Sequence, residues 1–172
     1  QAHAAGLRKL YLGLEQAPTT NRSILGKNDR GNVMSILRAC ANTGVKVHLF
    51  CMVGYPGSAR ADANATVKFM IENEALIDTA DLVGFRLDRG TSVPGIRAIA
   101  GTGGWQMALP YKALRRGILT PPEIADLEVA CQEKLWESVP RLMHPLYRIV
   151  SHWDEFTEVS DRTGDALVAA SG

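Results

Sequence analysis

Apolar residues alternate with other residues in three short segments of the first half of the chain, which is the two-residue period of a β-strand. The segments are residues 7–15, 46–53 and 81–90. In each segment one face is aliphatic, and we expect that face to contact helices. The aliphatic positions are Leu10, Leu12 and Leu14, then Val47, Leu49, Cys51 and Val53, and then Val83, Phe85 and Leu87.

The segments between these strands have the period of a helix. The first stripe runs from Val33 to Ala41, and Gly44 follows it at the position of a C-terminal cap. The second stripe comprises Ala63, Val67, Met70 and Ile71. Strands that alternate with helices predict βαβ crossovers and a parallel sheet.

The alternation stops after residue 90. The Gly-rich segment TSVPGIRAIAGTGGWQ predicts a long loop, and residues 120–139 predict a helix that begins with Thr120, Pro121 and the capping-box residue Glu123. Residues 144–156 predict another helix, and residues 161–172 a flexible tail. The expected fold is therefore α/β. It is a partial (β/α) TIM-like barrel of three βα units over residues 1–94, followed by a lid-like loop and a mainly helical region over residues 95–160.

Composition narrows the partners. Nineteen basic and eighteen acidic residues leave a net charge of +1, so the chain has no broad basic surface for nucleic acid. No apolar run is long enough to span a membrane, and we expect a cytoplasmic protein with no membrane partner. The three cysteines, Cys40, Cys51 and Cys131, are far apart in the sequence, which favours buried thiols over a disulfide framework or a metal site.

Ligands of parallel α/β folds bind at the carboxyl ends of the strands. The residues at these ends are Glu15, the segment 52–57 and the segment 86–90. Simpler interpretations stay open, because Glu15 can be a solvated strand-end carboxylate and Arg86 can pair with Asp88. In the segment GYPG, Gly54 is expected to let the backbone approach a ligand.

The segments AGLRKLYLGLE, ILGKN, GVKVHLFCMVGYPGSARAD and VGFRLDRGTSV follow one another at characteristic separations. Together they resemble the C-terminal half of the catalytic barrel of radical S-adenosylmethionine (SAM) enzymes, and most closely the branch that often carries a cobalamin-binding domain. The resemblance covers about residues 4–94. It implies an enzyme in which a 4Fe-4S cluster, held by three cysteines, reduces SAM to a 5'-deoxyadenosyl radical that abstracts hydrogen from a substrate.

The resemblance also implies residue roles. Glu15 matches a polar side chain that contacts SAM, and Lys27 matches a basic residue that can pair with the SAM carboxylate. The segment of Met52, Val53 and Gly54 matches the strand along which adenine lies. Arg86 and Leu87 match a segment whose backbone approaches the adenine.

The chain departs from the family pattern at several positions. The CxxxCxxC motif is absent, so the cluster ligands are not in this chain. Ser58 replaces the usual glutamate after GYPG, and Gln16, Ala17 and Pro18 replace a Ser-Gly-Ser turn. Phe50 stands where some relatives have a ribose-binding acid.

Taken with these departures, the resemblance implies a segment that is incomplete for catalysis alone. Its cofactors would be SAM and a 4Fe-4S cluster, with cobalamin as a further candidate. Its partner would be an N-terminal half-barrel in cis or in trans, and its substrate a small molecule or a peptide, as in natural-product or modified-peptide maturation.

Two alternatives belong to other functional classes. The chain could be a non-catalytic barrel remnant that serves as an interaction module. It could also be an ordinary (β/α) barrel that binds a phosphorylated ligand at GTGG, residues 101–104, although this motif neither follows a clear strand nor opens a clear helix.

Overall fold

The computed structural model of the chain describes residues 3–17, 30–99 and 108–143. Its centre is a parallel sheet with the strand order β1-β2-β3, in which β1 spans Lys9–Glu15, β2 spans Lys46–Val53 and β3 spans Thr79–Gly84. Helix α1, Arg30–Thr43, connects β1 to β2, and helix α2, Arg60–Glu72, connects β2 to β3. The predicted alternation of strands and helices, and the parallel sheet, are confirmed.

One face of the sheet forms the main core. The apolar stripes of α1 and α2 pack on it together with a third helix, α3, which spans Pro121–Ser138. The strand residues buried there are Leu12, Leu14, Val47, Leu49, Cys51, Val53, Ala80 and Leu82. The molecule is thus a mixed α/β structure whose helices and sheet share one apolar core.

The helix ends follow the predicted capping signals. Gly44 has a φ of 71°, and its N–H donates to the Ala41 carbonyl at 3.2 Å while the Val45 N–H donates to the Cys40 carbonyl at 3.0 Å, which is a Schellman cap of α1. At the start of α3, the Glu123 carboxylate accepts the Thr120 N–H at 2.8 Å. Both predicted caps are confirmed.

The third strand differs from its prediction. Ala80 and Leu82, not Val83, face the helices, because Leu82 lies beside Cys51 and Val83 beside Met52. The strand ends at Gly84, so the expected continuous alternation through residue 90 is wrong. Leu82 and Val83 are both aliphatic, and their types alone do not decide which of them is inside.

Short antiparallel strands occupy part of the predicted loop. Strand β4, Leu87–Asp88, pairs with β6, Ala108–Leu109, and strand β5, Ile96–Ala98, pairs with β7, Tyr111–Ala113. Their apolar side chains form a second cluster. Its buried members are Phe85, Leu87, Val93, Ile96, Tyr111 and Ile124.

This second cluster lies against the carboxyl ends of the sheet, since Met52 and Tyr55 pack on it. The segment expected to be an irregular loop is therefore partly a small folded unit. The motif GTGG, the predicted helix over residues 144–156 and the predicted tail over residues 161–172 lie outside the described residues.

The opposite face of the sheet carries an aromatic cluster. Tyr11 and Phe50 stack with ring centroids 6.0 Å apart, and the His48 ring lies 4.5 Å from that of Phe50. Tyr11 is 62% exposed and Phe50 41% exposed, so no described element covers this face at their positions. The three parallel strands form an open sheet and not a closed barrel. No helix in the described ranges is long and apolar enough to cross a lipid bilayer.

Candidate functional site

The carboxyl ends of the three parallel strands lie side by side. Glu15 ends β1 and is in register with Cys51, and Val53 ends β2 in register with Gly84 of β3. The structure therefore brings Glu15 and the segment after Val53 to one edge of the sheet. This is the edge at which parallel α/β folds bind their ligands.

Glu15 has an unusual backbone conformation. Its φ is 62°, in the left-handed region, and it is the one residue other than glycine with a positive φ among the described residues. The β1 register is irregular between Gly13 and Glu15. Non-glycine residues pay a steric cost in this region and persist there when their surroundings hold them.

The two residues after Glu15 are buried, and one is hydrogen-bonded to the β2–α2 connection and the other to α2. Gln16 Nε2 donates to Ser58 Oγ at 3.2 Å, and the Ala17 N–H donates to Thr66 Oγ1 at 3.0 Å. Sequence analysis had noted Gln16 and Ser58 as departures from the family pattern without relating them. The contact between them depends on tertiary structure, and no sequence signal identifies it.

Gly54 is the glycine of the GYPG segment that another element approaches closely. Its φ is 74°, and a Cβ at this position would lie 2.8 Å from Cγ1 of Ile124 in α3. The group that approaches Gly54 is a helix side chain, and the expected approach of the Gly54 backbone to a ligand stays a prediction. Gly57 also has a positive φ, of 95°, with open space around it, so it serves the turn alone.

The other residues named by the resemblance lie in different environments. Met52 is half-buried on the sheet face opposite the helices, whereas the side chain of Val53 is completely buried among the helices. Leu87 is buried in the second cluster, and Arg86 is exposed with its Nη2 3.9 Å from Glu128 Oε1. Lys27 lies outside the described residues.

Only some of these residues can therefore present a side chain to a ligand at the carboxyl edge. Glu15, Met52 and Arg86 have partly or fully exposed side chains, while Val53 and Leu87 can contribute only backbone atoms. The backbone contribution is consistent with the role that the resemblance implies for both.

Helix α3 contributes two polar residues that sequence analysis missed. Gln132 Nε2 donates to the Leu82 carbonyl at 2.8 Å and lies 3.3 Å from Glu128 Oε1. A Cβ at Gly84 would lie 2.5 Å from Glu128 Oε2. The four-residue spacing of Ile124, Glu128 and Gln132 puts them on one helix face, which is the signal that could have identified them.

The cysteines are free and buried, as expected. Burial, and then the negative charges of Glu15 and Asp81, raise the pKa of the Cys51 thiol far above its usual value. Burial also raises the pKa of Cys131. Both shifts disfavour the thiolate, which is the nucleophile and the metal ligand.

The described residues do not fit a 4Fe-4S cluster. Among them, no group of three histidine, cysteine or acidic side chains is close enough together to hold a metal ion. A 4Fe-4S cluster would need at least three cysteine thiolates in one place. No chemical step through a cluster is assigned to these residues.

No family model matches this chain, and no curated protein matches it. Among solved structures, it is similar to a radical S-adenosylmethionine methyltransferase, TsrM, from Kitasatospora setae, determined with cobalamin and a 4Fe-4S cluster bound. The TM-score is 0.41 and the sequence identity 18%, over 59% of this chain and 23% of that chain. The chain thus spans about a quarter of the length of the protein it matches.

Proposed function

We propose that this chain forms the SAM-binding side of a radical SAM enzyme. The observation that carries the proposal is that Glu15, in register with Cys51, and the segment Met52 to Gly54, which follows Cys51, lie at the carboxyl ends of neighbouring parallel strands. These are the residues that the sequence resemblance relates to SAM, and they come from segments far apart in the chain.

The chemistry of these residues suits the polar parts of SAM. A carboxylate accepts charge-assisted hydrogen bonds, so Glu15 can bind ribose hydroxyls or the ammonium group of the methionyl end. The backbone N–H and C=O groups that follow Met52 can pair with the edge of an adenine ring. The role of this chain is to bind and orient SAM.

The 4Fe-4S cluster in this proposal is held by another part of the enzyme. When bound, it supplies the electron that cleaves SAM, and the residues that hold it would come from an N-terminal half-barrel in cis or in trans. Cobalamin, and a substrate drawn from small molecules or peptides of natural-product maturation, are further parts of the proposal that rest on the resemblance alone.

The sheet face that no described element covers supports the need for such a partner. Parallel sheets are normally covered on both faces, yet Tyr11 and Phe50 are 62% and 41% exposed. An N-terminal half-barrel would bury these rings and continue the sheet from β1. We propose that partner as the cover of this face.

Isothermal titration calorimetry of the full chain tests the proposal. We expect SAM and its demethylated product S-adenosylhomocysteine to bind the unmodified chain, and inorganic phosphate not to compete with them. Glu15→Gln should weaken SAM binding roughly tenfold, as loss of a charge-assisted hydrogen bond does.

The matched control is Glu72→Gln, which removes a carboxylate at the C-terminal end of α2. Glu72 Oε1 lies there 3.5 Å from Lys68 Nζ. This variant should bind SAM like the unmodified chain. Competition by phosphate would instead support the phosphate-binding barrel. An unmodified chain that binds no SAM would contradict the proposal and favour the interaction module.

A further inference from the structure

We propose that Gln16 and Ser58 are positioning residues that hold Glu15 in its left-handed conformation and so set the direction of its carboxylate. This inference rests on the proposed function, because it assigns the pair a role in SAM binding. It concerns contacts that the resemblance does not include.

Gln16 and Ser58 are buried, and the donor and the acceptor of the hydrogen bond between them are fixed. Gln16 and Ser58 are each 5% exposed. The Ser58 hydroxyl donates its one hydrogen to the Tyr55 carbonyl at 2.7 Å, so it can only accept from Gln16 Nε2 at 3.2 Å. The serine thereby fixes the orientation of the Gln16 amide.

A second tie acts on the next residue. The Ala17 N–H donates to Thr66 Oγ1 at 3.0 Å, and the Thr66 hydroxyl donates to the Asp62 carbonyl at 2.8 Å. Ala17 and Thr66 are both fully buried. The chain after Glu15 is therefore fastened at two successive residues, once to the β2–α2 connection and once to α2 itself.

The backbone of Glu15 joins two fixed parts of the molecule. On one side β1 is held by its pairing with β2, and on the other side Gln16 and Ala17 are held by Ser58 and Thr66. The left-handed φ of 62° at Glu15 is the change of direction between them. A strained conformation persists when its surroundings determine it in this way.

The Gln16 amide retains one unused group. Its Oε1 atom is buried and has no hydrogen-bond partner among the described residues. An apolar side chain at this position could not donate the hydrogen bond that Gln16 Nε2 makes to Ser58 Oγ.

Two sequence departures are therefore one feature. Ser58 stands where the family usually has a longer acidic residue, and Gln16 stands where the family has a small residue. In this chain the long polar side chain, Gln16, follows β1, and the short one, Ser58, lies in the β2–α2 connection. A hydrogen bond joins the two loops across the carboxyl edge.

A double-mutant cycle on the full chain tests the role. SAM affinity is measured for Gln16→Leu and for Glu15→Gln, singly and together. If Gln16 acts through Glu15, Gln16→Leu should weaken SAM binding roughly fivefold to tenfold alone and have almost no further effect beside Glu15→Gln. Equal losses in both backgrounds would overturn the positioning role.

Rescue by exchange separates positioning from general damage. Ser58→Ala should weaken SAM binding as Gln16→Leu does, while the combined variant Gln16→Ser and Ser58→Gln should restore much of the affinity because the hydrogen bond can form in the reverse arrangement. An exchanged variant that binds no better than Ser58→Ala would contradict the proposal.

Amide hydrogen exchange distinguishes failure of this inference from failure of the proposed function. Without any ligand, Gln16→Leu should speed exchange at the Ala17 amide, because the loosened segment opens more often. If Gln16→Leu speeds exchange but the unmodified chain binds no SAM, the holding role of the Gln16–Ser58 hydrogen bond stands and only the SAM-binding function is refuted. If Gln16→Leu leaves exchange at the Ala17 amide unchanged while the unmodified chain binds SAM, only the holding role of the Gln16–Ser58 hydrogen bond is refuted.

Discussion

Ile124 of α3 packs directly against Gly54, at the point where β2 ends. A Cβ on Gly54 would lie 2.8 Å from Ile124 Cγ1 and 3.1 Å from Ile124 Cγ2. The glycine that the sequence marks as a site of close approach therefore accommodates a helix, and α3 is held against the carboxyl end of the sheet.

This contact predicts the effect of Gly54→Ala. The substitution adds a clash with Ile124 to the cost of a left-handed alanine at a φ of 74°, and we expect a loss of about 2–4 kcal/mol in the free energy of unfolding in urea. Gly57→Ala is the control, since it has a φ of 95° but no atom within 4 Å. Equal losses in the two variants would contradict the packing role of Ile124.

Replacing Glu15 by glycine should stabilise the fold and weaken SAM binding. Because its φ is 62°, Glu15→Gly relieves steric strain, and we expect the free energy of unfolding to rise by about 0.5–1 kcal/mol. SAM affinity should fall in the same variant. Glu15→Ala is the control, because it removes the carboxylate but keeps Cβ, and it should lose affinity without the gain. A destabilised Glu15→Gly would show that the side chain supports the fold.

Cys51 predicts a loss of stability in alkali. Burial, followed by the charges of Glu15 and Asp81, raises the pKa of its thiol above the usual 9.0. The unfolded chain then ionises more readily than the folded one, so the stabilisation is complete below about pH 9 and is lost as pH rises above it.

The slope from a single thiol approaches about 1.4 kcal/mol per pH unit. Urea unfolding at pH 7, 9 and 10 measures it, and Cys51→Val should flatten the curve between pH 9 and 10. The raised pKa values of Cys131 and Tyr111 act in the same direction, so part of the slope should remain. An unchanged slope would mean that Cys51 does not contribute.

The open face, which is the sheet face that none of the described elements covers, predicts self-association of the isolated chain. The rings of Tyr11 and Phe50 stack with their centroids 6.0 Å apart, and the residues are 62% and 41% exposed. Tyr11 lies on β1, which is the edge strand of the parallel sheet and the neighbour of β2. Replacing both rings by serine should reduce the average mass measured by light scattering, without lowering the unfolding midpoint in urea by more than a small amount.

The control for that experiment is Leu114→Ser with Val129→Ser, at residues that are 51% and 46% exposed and lie just after β7 and on α3. This pair should leave self-association unchanged. If the control lowers the mass as much as the aromatic pair does, association is not specific to the open face.

Local periodicity was sufficient for much of the fold. The buried positions of β1 and β2 recur every second residue, and Val33, Leu37 and Cys40 recur at helical spacing, so the faces of these elements follow from residue type. The caps at Gly44 and Thr120 likewise depend on neighbouring residues alone.

The failures lie where distant residues decide the outcome. At β3, Leu82 and Val83 are both aliphatic, and only the register with β2 selects Leu82 as the buried one. Strands β4 and β6 have two residues each, which is too short to show a period. The hydrogen bond between Gln16 and Ser58 joins residues 42 positions apart, and no sequence signal marks the left-handed φ of Glu15.

The candidate site divides in the same way. The sequence puts Glu15, Met52 and Gly54 at the carboxyl ends of their strands, and the parallel pairing puts Glu15 beside Cys51, the residue before Met52. It predicts that Val53 faces the helices, which is confirmed, but not that Ile124 fills the space beside Gly54. The role of each residue toward SAM stays a prediction, as does that of Lys27.

Backbone amide shifts recorded by NMR during a SAM titration of the full chain test the central claim most directly. The account predicts saturable shifts at Glu15, Met52 and Gly54, with little change at Lys9 and Lys46 at the opposite ends of the same strands. Shifts confined to the Lys9 end of the sheet, or no saturable shifts at all, would contradict it.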